Sequence, residues 1–515
     1  MLKNFTNEPL LNFNDAKVVA NFKEALEEAQ GQLGQHYPLV IGGESTYTDE
    51  KIVSINPSSQ EQVVGYASKA SIEQAQVAID AAEKAFDSWA RVNPKERAAC
   101  LFKAAAIMRE RKYQLSSWLV LESGKNWAEA DADTAEAIDF LEFYGREMCR
   151  LAETQPLVRI DGEDNELVYL PLGVGVVIPP WNFPFAIMAG MTAAAIVAGN
   201  TVVLKPASNT PVIAAKFVEI LKEAGVPDGV VNFLPGSGGA IGDFLVSSPQ
   251  ISFVNFTGSK EVGLRINELA AKYVKGQRAI KRVALEMGGK DAILVDSSAD
   301  LNAAATAIVA SAFGFQGQKC SACSRAVVLS DVYDQVVDLV LQKTGELTVG
   351  PATENFPVGP VIDKASLERI KKYIEIGKRE GELLTGGDTL ESLGGFYVQP
   401  TIFGNVSPQA VIAQEEIFGP VLAFIKADSF DHALDIVNNT EYGLTGSVFA
   451  NDRLKIEKAK KEFHVGNFYV NRKCTGALVG VHPFGGFKMS GTDSKAGGRD
   501  YLLHFTQPKL ISEKY

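Results

Sequence analysis

The chain has 515 residues, of which 46% are hydrophobic and 22% are charged, and its formal net charge is −12. This composition excludes a disordered or collagen-like chain, and the length predicts two or three domains. Sequence-independent binding of nucleic acid requires a basic surface, so no nucleic-acid partner is expected.

The numbers and positions of cysteine and histidine further limit the class of protein. Five cysteines are too few for a disulfide framework and indicate reduced thiols. Five scattered histidines form no i, i+4 pair and no cluster with cysteine, so no metal site is expected. The first residues lack the apolar core of a secretory signal, and the longest apolar stretch is shorter than the ~20 residues of a membrane span. We therefore expect a cytoplasmic protein without a membrane contact.

The first part of the chain is predicted to be mostly helical. After a polar leader of roughly 50 residues, an apolar stripe with the helical period begins at Ser71, which fits an N-cap. Two further helical stretches are predicted at 94–120 and 127–150.

From Val174 onward, short β-branched runs alternate with helical segments. The predicted strands are 174–178, 201–204, 230–234 and 251–256, with helices at 185–198, 211–224 and 241–246. This alternation predicts an α/β fold with a parallel, doubly wound sheet that binds ligands at the carboxyl ends of its strands.

A second α/β region is predicted between 292 and about 471. Its strands are 292–295, 326–329, 421–425 and 447–450, and its helices lie near 301–313, 333–344, 366–379 and 431–438. The tail, 502–511, has the character of a strand but no obvious partner nearby, and another subunit would provide one.

Cys320 is the first candidate for chemistry. It follows a predicted helix and has Lys319 beside it, and a positive neighbour lowers the pKa of a thiol. Two other interpretations of Cys320 stay open: a buried inert thiol, or a redox pair with Cys323.

Three further segments could form a ligand site. Glu286 ends a β-rich run and precedes two glycines, which allow close approach of a ligand; a solvated loop glutamate is the alternative. Residues 256–263 follow a predicted strand and open a helix, as pyrophosphate-binding turns do, although the glycine spacing is not the usual one. Asn182 lies among prolines and aromatic residues, a rigid frame for an amide that would stabilise an oxyanion, or simply a proline-rich turn.

Taken in order along the chain, these segments resemble the aldehyde dehydrogenase superfamily over roughly residues 50–512. The motifs are Pro180-Trp181-Asn182-Phe183-Pro184, Lys205-Pro206-Ala207, Phe256-Thr257-Gly258-Ser259, Glu286-Met287-Gly288-Gly289, Cys320 and Glu416-Ile417-Phe418-Gly419-Pro420. The resemblance implies a Rossmann-type cofactor domain, an α/β catalytic domain and a small β oligomerisation flap.

The same resemblance implies three catalytic roles. Cys320 would attack the aldehyde as a thiolate, Asn182 and the Cys320 backbone N–H would hold the oxyanion, and Glu286 would activate water to release the acid. Relatives that acylate coenzyme A lack a glutamate at this position, so Glu286 indicates hydrolysis.

The cofactor implied is NAD. The residues expected to bind it, by their match to the motifs, are Pro180, Trp181, Lys205, Ser208, Gly225, Gly229, Phe256, Gly258, Ser259, Gly288, Glu416 and Phe418. One departure matters: many members that prefer NAD have a glutamate where this chain has Ser208, and a carboxylate there repels a 2′-phosphate. We therefore expect NAD to be used, with NADP as a second cofactor.

The segment 474–488 resembles the branch of the family that oxidises L-glutamate γ-semialdehyde, the open form of 1-pyrroline-5-carboxylate, in proline degradation. In that branch backbone N–H groups of a small-residue loop grip the α-carboxylate of the substrate, a role that falls to Gly476 and Ala477, with help from the Ser321 hydroxyl. A plain loop is the alternative, since glycine is common in any turn.

Domain limits also follow from the resemblance. The NAD-binding domain comprises 1–149 and 171–284, and the catalytic domain comprises 285–483. The flap comprises a hairpin near 150–170 together with 484–515, and it implies a homo-oligomer built from dimers. A proline dehydrogenase is a candidate partner that the sequence does not reveal.

Rival functions remain. A different carboxylated semialdehyde, such as succinate semialdehyde, is the strongest rival among enzymes. A non-catalytic nucleotide-binding protein on the same fold would not need Cys320, Glu286 and Asn182 together. A dithiol redox protein would need Cys323 as much as Cys320.

Overall fold

The N-terminal segment is folded rather than an extended leader. A computed structural model of the chain describes residues 3–515. The elements up to residue 68 are α1 (Ala16–Gln30), β1 (Gln35–Tyr37), β2 (Leu39–Ile41), β3 (Glu44–Thr46), β4 (Lys51–Ile55) and β5 (Val63–Ser68). Helix α1 buries Phe22, Ala25, Leu26 and Ala29 on one face, and strands β1, β5 and β4 form a small sheet. The expectation of a polar leader is therefore wrong.

Helices follow, as predicted. They are α2 (Ile72–Trp89), α3 (Pro94–Glu110), α4 (Lys112–Ser123) and α5 (Trp127–Leu151). Ser71 caps α2, and its hydroxyl and the Gln74 side chain form a reciprocal capping box. The single helix predicted at 94–120 is two helices, because the backbone leaves the helical conformation at Arg111.

The first large sheet matches the prediction of a parallel, doubly wound fold. Its region comprises β6 (Glu163–Pro171), β7 (Val174–Ile178), α6 (Ala186–Val197), β8 (Thr201–Leu204), α7 (Pro211–Glu223), β9 (Val231–Phe233), α8 (Asp243–Ser247), β10 (Ile251–Thr257), α9 (Lys260–Ala271) and β11 (Arg282–Glu286). The strand order is β11-β10-β7-β8-β9-β2-β3, and the five strands from β11 to β9 run parallel. Strands β7 and β8 are almost entirely buried, since helices cover both faces of such a sheet.

The second large sheet has the order β14-β15-β16-β13-β12-β18-β19. The elements from residue 291 onward are β12 (Asp291–Val295), α10 (Leu301–Phe313), β13 (Cys323–Leu329), α11 (Tyr333–Gly345), α12 (Lys364–Glu380), β14 (Glu382–Thr385), β15 (Thr401–Gly404), α13 (Val411–Gln414), β16 (Val421–Ala427), α14 (Phe430–Asn438), β17 (Tyr442–Gly443), β18 (Thr445–Phe449), α15 (Arg453–Glu462), β19 (Asn467–Val470), β20 (Phe487–Lys488) and β21 (Thr506–Lys514). Only the edge strand β14 runs antiparallel to its neighbour in this sheet. The mixed α/β fold that the sequence predicted is confirmed.

The C-terminal strand has its partner in the same chain. Strand β21 pairs antiparallel with β6 over nine residues, from Thr506 opposite Pro171 to Lys514 opposite Glu163. This corrects two expectations: the segment near 150–170 contributes one strand rather than a hairpin, and the tail does not need another subunit for its first partner. The pair forms a two-stranded sheet of its own, so each strand keeps one unpaired edge.

The two large sheets bring different strand ends to one place. The segments that follow β7, β8 and β10 leave the carboxyl ends of the first sheet. The segments that precede β13 and β16 lead into the amino ends of strands in the second sheet. Among residues 3–515, none of the helices combines the length and apolar character that crossing a membrane requires.

Candidate active site

A cavity of about 720 Å³ lies where these strand ends meet. Eleven of the residues predicted from the sequence contribute to its wall: Pro180, Trp181, Asn182, Lys205, Phe256, Gly258, Ser259, Gly288, Cys320, Glu416 and Phe418. Residues that are far apart in the sequence therefore share one space with the candidate nucleophile. Carboxyl ends of parallel strands are where such sheets bind ligands.

The nucleophile loop is held in an unusual backbone conformation. Phe315 and Gln316 both have positive φ, and the chain turns at Cys320 before β13 begins. The Gln316 side chain donates to the Pro360 carbonyl at 2.9 Å, and the Gln318 side chain accepts from the Ile362 N–H at 2.9 Å. These bonds fix the turn that presents the Cys320 thiol to the cavity.

Two donors converge beside this thiol. The Asn182 amide is buried and donates to the carbonyl of Gln318, two residues before Cys320, at 2.9 Å. This bond fixes the orientation of the amide. Within residues 3–515, no acceptor pairs with the Cys320 backbone N–H. A free backbone N–H and an oriented amide next to a thiol are the donors that an oxyanion requires.

The charges around Cys320 differ from the sequence expectation. Lys319 does not lower the pKa of the neighbouring thiol, because its ammonium group pairs with both oxygens of Glu129 at 2.7 Å. Burial raises the pKa of Cys320 above its usual range, and the carboxylates of Asp291 and Glu416 raise it further. Burial and these carboxylates therefore favour the neutral thiol over the thiolate in the ligand-free protein.

A second ion pair lies behind the nucleophile loop. Lys125 is fully buried, its ammonium group lies 3.2 Å from Asp133, and it contacts the faces of Phe183 and Phe315 at 3.8 and 4.3 Å from the ring centroids. Sequence reasoning missed this cluster, since its members come from α5 and from three separate loops. It supports the aromatic residues next to Asn182 and the turn before Cys320.

Cys323 does not pair with Cys320. It is buried at the start of β13, where its thiol donates to the Arg325 carbonyl at 3.5 Å and Cys474 lies in the same hydrophobic cluster. All five cysteines are free thiols. The geometry therefore gives no support to a redox pair of Cys320 and Cys323.

Glu286 ends β11 next to the cavity but does not belong to its wall. Burial raises the pKa of Glu286 to about 8, and the Ser494 hydroxyl and backbone N–H oppose this shift. The hydroxyl donates to Oε1 at 2.5 Å, whereas Oε2 is shielded from solvent and has no partner within residues 3–515. A carboxyl group with a pKa near 8 is a competent proton acceptor just above neutral pH.

Glu416 and Gly288 form a close pair at the cavity wall. Glu416 accepts a hydrogen bond from the Gly289 backbone N–H at 3.0 Å. A Cβ atom added at Gly288 would overlap the Glu416 carboxyl group, so glycine is required for this approach. Burial raises the pKa of Glu416 to about 7, so the group is ionised above neutral pH.

The wall also offers two aromatic rings and several donors. Trp181 and Phe418 meet edge to face with centroids 5.4 Å apart. Lys205 is 6% exposed, and burial lowers its pKa to about 8. Within residues 3–515, the one hydrogen bond of its ammonium group is to the Pro206 carbonyl at 3.4 Å. Ser259 caps α9, where helix N–H groups favour an anion.

Some predicted cofactor residues lie outside this wall. Ser208 is in the loop that contributes Ala207 to the wall, and Gly225 and Gly229 lie in the turn between α7 and β9 with positive φ. The same wall contains Lys260 and Glu261, which belong to the predicted segment 256–263. It also contains residues that sequence reasoning missed: Arg369, Tyr373, Glu441 and Tyr442. Lys260 directly follows the recognised motif, but Arg369 belongs to α12 and had no local signal.

The predicted substrate loop is tied to the nucleophile turn. The Cys474 thiol donates to the Ser321 carbonyl at 3.3 Å, which joins the start of this loop to the residue that follows Cys320. Gly476 has a φ of +76°, and within residues 3–515 the backbone N–H groups of Gly476 and Ala477 have no acceptor. The guanidinium group of Arg472 donates to the Thr475 and Gly476 carbonyls at 3.0 Å, which fixes the loop. Free N–H groups in a left-handed turn form an anion-binding nest.

Comparisons with known proteins agree with this geometry. The model described as the aldehyde dehydrogenase family matches residues 44–511. The chain is 58% identical to a 1-pyrroline-5-carboxylate dehydrogenase of Geobacillus kaustophilus, and the match covers 100% of both chains. A solved structure of 1-pyrroline-5-carboxylate dehydrogenase from Thermus with bound NAD is 50% identical, has a TM-score of 0.98 and matches over 100% of both chains. Proline utilization A (PutA) from Bdellovibrio bacteriovorus is 45% identical with a TM-score of 0.98, covering 99% of this chain and 53% of the other.

Proposed function

This chain belongs to the aldehyde dehydrogenase family, and on that premise we propose that it oxidises L-glutamate γ-semialdehyde to L-glutamate with NAD. The semialdehyde is the open form of 1-pyrroline-5-carboxylate, the compound named in the relatives at 58% and 50% identity. The observation that carries the substrate proposal is the Cys474–Ser321 hydrogen bond, which joins the nucleophile turn to a loop with free N–H groups. The reaction would be the second step of proline degradation.

The residues at the cavity wall fit NAD. Lys205 offers a buried ammonium group without a carboxylate partner, a donor suited to ribose hydroxyls. Ser259 and the start of α9 suit the pyrophosphate, and Glu416, with Gly288 against its carboxyl group, suits the hydroxyls of the second ribose. When bound, NAD supplies the hydride acceptor and one positive charge. Ser208 has no negative charge to repel a 2′-phosphate, so we propose NADP as a second, weaker cofactor.

In the proposed mechanism the Cys320 thiol loses its proton to water, and the thiolate sulfur forms a bond to the aldehyde carbon as the carbonyl π bond breaks. The negative charge that develops on the oxygen is stabilised by the Asn182 amide and the Cys320 backbone N–H. Loss of hydride leaves a thioester on Cys320. Glu286 then takes a proton from water, the water oxygen attacks the thioester carbon, the carbon–sulfur bond breaks, and glutamate leaves.

Substrate selection is assigned to the loop around Gly476. The backbone N–H groups of Gly476 and Ala477 and the Ser321 hydroxyl would bind the α-carboxylate, and nearby Arg472 and Lys473 make the surroundings positive. Succinate semialdehyde has a carboxylate but no amino group, and propanal has neither.

We also propose a domain division and a homo-oligomer built from dimers. Residues 1–149 and 171–284 would bind the cofactor, 285–483 would carry the nucleophile, and 150–170 with 484–515 would form the flap. The unpaired edges of β6 and β21, together with exposed Leu510 and Ile511, support an association through this flap.

The cellular setting is proposed on weaker grounds. Five free thiols support a cytoplasmic location. Since the chain matches about half of a proline utilization protein, a proline dehydrogenase is the proposed source of substrate.

The test of the proposed function is NAD reduction by the purified chain with L-1-pyrroline-5-carboxylate, succinate semialdehyde and propanal. A preference of ~100-fold in kcat/KM for the amino-acid substrate, equivalent to ~2.7 kcal/mol of transition-state discrimination, is expected. Equal rates would contradict the role of the Gly476 loop, and no reduction with any aldehyde would contradict the activity.

A further inference from the structure

The carboxyl group of Glu286 is held by one residue, Ser494, through its hydroxyl group and its backbone N–H. Ser494 is 2% exposed and donates to Oε1 of Glu286 at 2.5 Å. The other oxygen, Oε2, is shielded from solvent and lacks a partner within the described residues. The orientation of this carboxyl group therefore depends on Ser494.

The segment around Ser494 is anchored along the end of β11. The Leu285 N–H donates to the Thr492 hydroxyl at 3.0 Å, and the Met287 N–H donates to the Ser490 carbonyl at 2.8 Å. The segment thus runs beside Glu286 on both sides of it. Its bonds to the backbone do not use the Ser494 hydroxyl, which remains available for the carboxylate.

The two residues that flank Ser494 have unusual conformations. Asp493 and Lys495 both lie in the left-handed region, with φ of 52° and 54°. Such conformations persist in residues other than glycine only where the surroundings enforce them. Here the Lys495 ammonium group donates to the Gly466 and Gly485 carbonyls at 2.7 and 3.0 Å, which pins the turn.

The charged and titratable groups that face Glu286 come from several elements. Lys495 and Asp493 lie in the same turn, and Cys320, Tyr144 and Tyr501 approach from the nucleophile turn, α5 and the tail. His504 contacts the Ser494 carbonyl at 3.2 Å. Burial is the largest influence and favours the neutral acid, whereas Ser494 and Lys495 favour the carboxylate.

We propose that Ser494 is a positioning residue for the general base: its hydroxyl orients the Glu286 carboxylate for attack of water on the Cys320 thioester. The proposal rests on the function proposed above and adds a residue that the sequence did not indicate. Ser494 itself would touch neither the substrate nor the reacting atoms.

Ester hydrolysis tests this role without NAD and without the aldehyde. With p-nitrophenyl acetate, attack by Cys320 forms the carbon–sulfur bond and releases p-nitrophenolate, and water then cleaves the acetyl thioester. In Ser494→Ala we expect an unchanged first burst of p-nitrophenolate and a slower steady rate, ~10-fold lower at pH 7. In the unmodified protein the steady rate should rise with pH around a midpoint near pH 8, the pKa of Glu286. In Ser494→Ala this midpoint should move to higher pH, because a hydrogen-bond donor to the carboxylate is lost.

Two further variants separate positioning from general damage. Ser494→Thr keeps a hydroxyl group and should restore the pH profile. Ser407→Ala changes an exposed serine outside the cavity wall and should alter neither step. If Ser494→Ala does not fold, Ser494→Gly removes the same hydroxyl and takes its place. An unchanged pH midpoint and steady rate in a folded Ser494→Ala or Ser494→Gly protein would overturn the proposal.

Failure of the proposed function has a different result. In that case the unmodified protein would not reduce NAD with L-1-pyrroline-5-carboxylate. If the unmodified protein does reduce NAD and the Ser494 variants match it in both assays, only the positioning role fails.

Discussion

Gly288 offers a direct test of how the cavity would hold NAD. In Gly288→Ala the new Cβ atom would overlap the Glu416 carboxyl group, because the three atoms nearest to that position all belong to this carboxyl. The side chain of Glu416 is flexible, so the fold should accept the change. Glu416 would then swing away and lose the Gly289 N–H bond of 3.0 Å. The displaced carboxylate would also lose its proposed hydrogen bond to the ribose of NAD. A hydrogen bond to a charged group contributes ~1.5–3 kcal/mol, so its loss corresponds to about 10- to 100-fold weaker binding of NAD.

The assay is isothermal titration with NAD at pH 8, where Glu416, with a pKa of about 7, is mostly ionised. Gly345→Ala is the matched control, since no atom lies within 4 Å of a Cβ added there. Glu416→Ala should weaken NAD by a similar factor, and the double variant should show no additive loss, because both changes remove the same contact. Binding by Gly288→Ala within twofold of the unmodified protein, in a folded sample, would refute the reasoning.

Three further changes probe other parts of the site. Cys320→Ala should abolish NAD reduction, whereas Cys323→Ala should keep most of it, since Cys323 lies buried against Cys474; equal losses in rate assays would favour a dithiol mechanism. Gly476→Ala places a side chain at a φ of +76° and should lower kcat/KM for L-1-pyrroline-5-carboxylate ~10-fold while leaving that for propanal unchanged, because only the former needs the loop N–H groups. Ser208→Glu should lower kcat/KM for NADP at least ~10-fold relative to NAD, because the new carboxylate repels the 2′-phosphate. Steady-state rates with both cofactors measure this ratio, and an unchanged ratio would mean that residue 208 does not lie near the 2′-phosphate.

Strands buried on both faces could be predicted well from the sequence. Strands β7 and β8 begin and end where the apolar β-branched runs do, because their local composition alone specifies a parallel-sheet core. The N-terminal helix α1 was missed although Phe22, Leu26 and Ala29 have helical spacing, so its signal was present in the sequence.

Contacts between residues that lie far apart in the sequence could not be predicted. The pairing of β6 with β21 joins segments more than 300 residues apart. Lys319 precedes Cys320 in sequence, but its ammonium group forms an ion pair with Glu129, 190 residues away. The prediction that Lys319 lowers the pKa of the Cys320 thiol was therefore wrong. Ser494 lies 208 residues from Glu286, and nothing in its local sequence indicated the contact.

In the candidate site, some wall residues could be predicted from motifs and others could not. Motifs that follow strands meet at one cavity, as the rule for parallel sheets predicts, and Cys320, Asn182 and Glu416 are among its wall residues. Arg369 and Tyr373 reach the same wall from α12, which carries no recognised motif. The catalytic and substrate roles of all these residues stay predictions until they are measured.

The most direct test of the account is to identify the covalent intermediate. Glu286→Gln protein would be mixed with NAD and L-1-pyrroline-5-carboxylate, quenched in acid within milliseconds to seconds, digested and examined by mass spectrometry. The proposed mechanism predicts one NADH per subunit and a glutamyl group on the peptide that contains Cys320, since acylation proceeds and hydrolysis lacks its base. An unmodified Cys320 after NADH has formed, or the group on Cys323 instead, would contradict it.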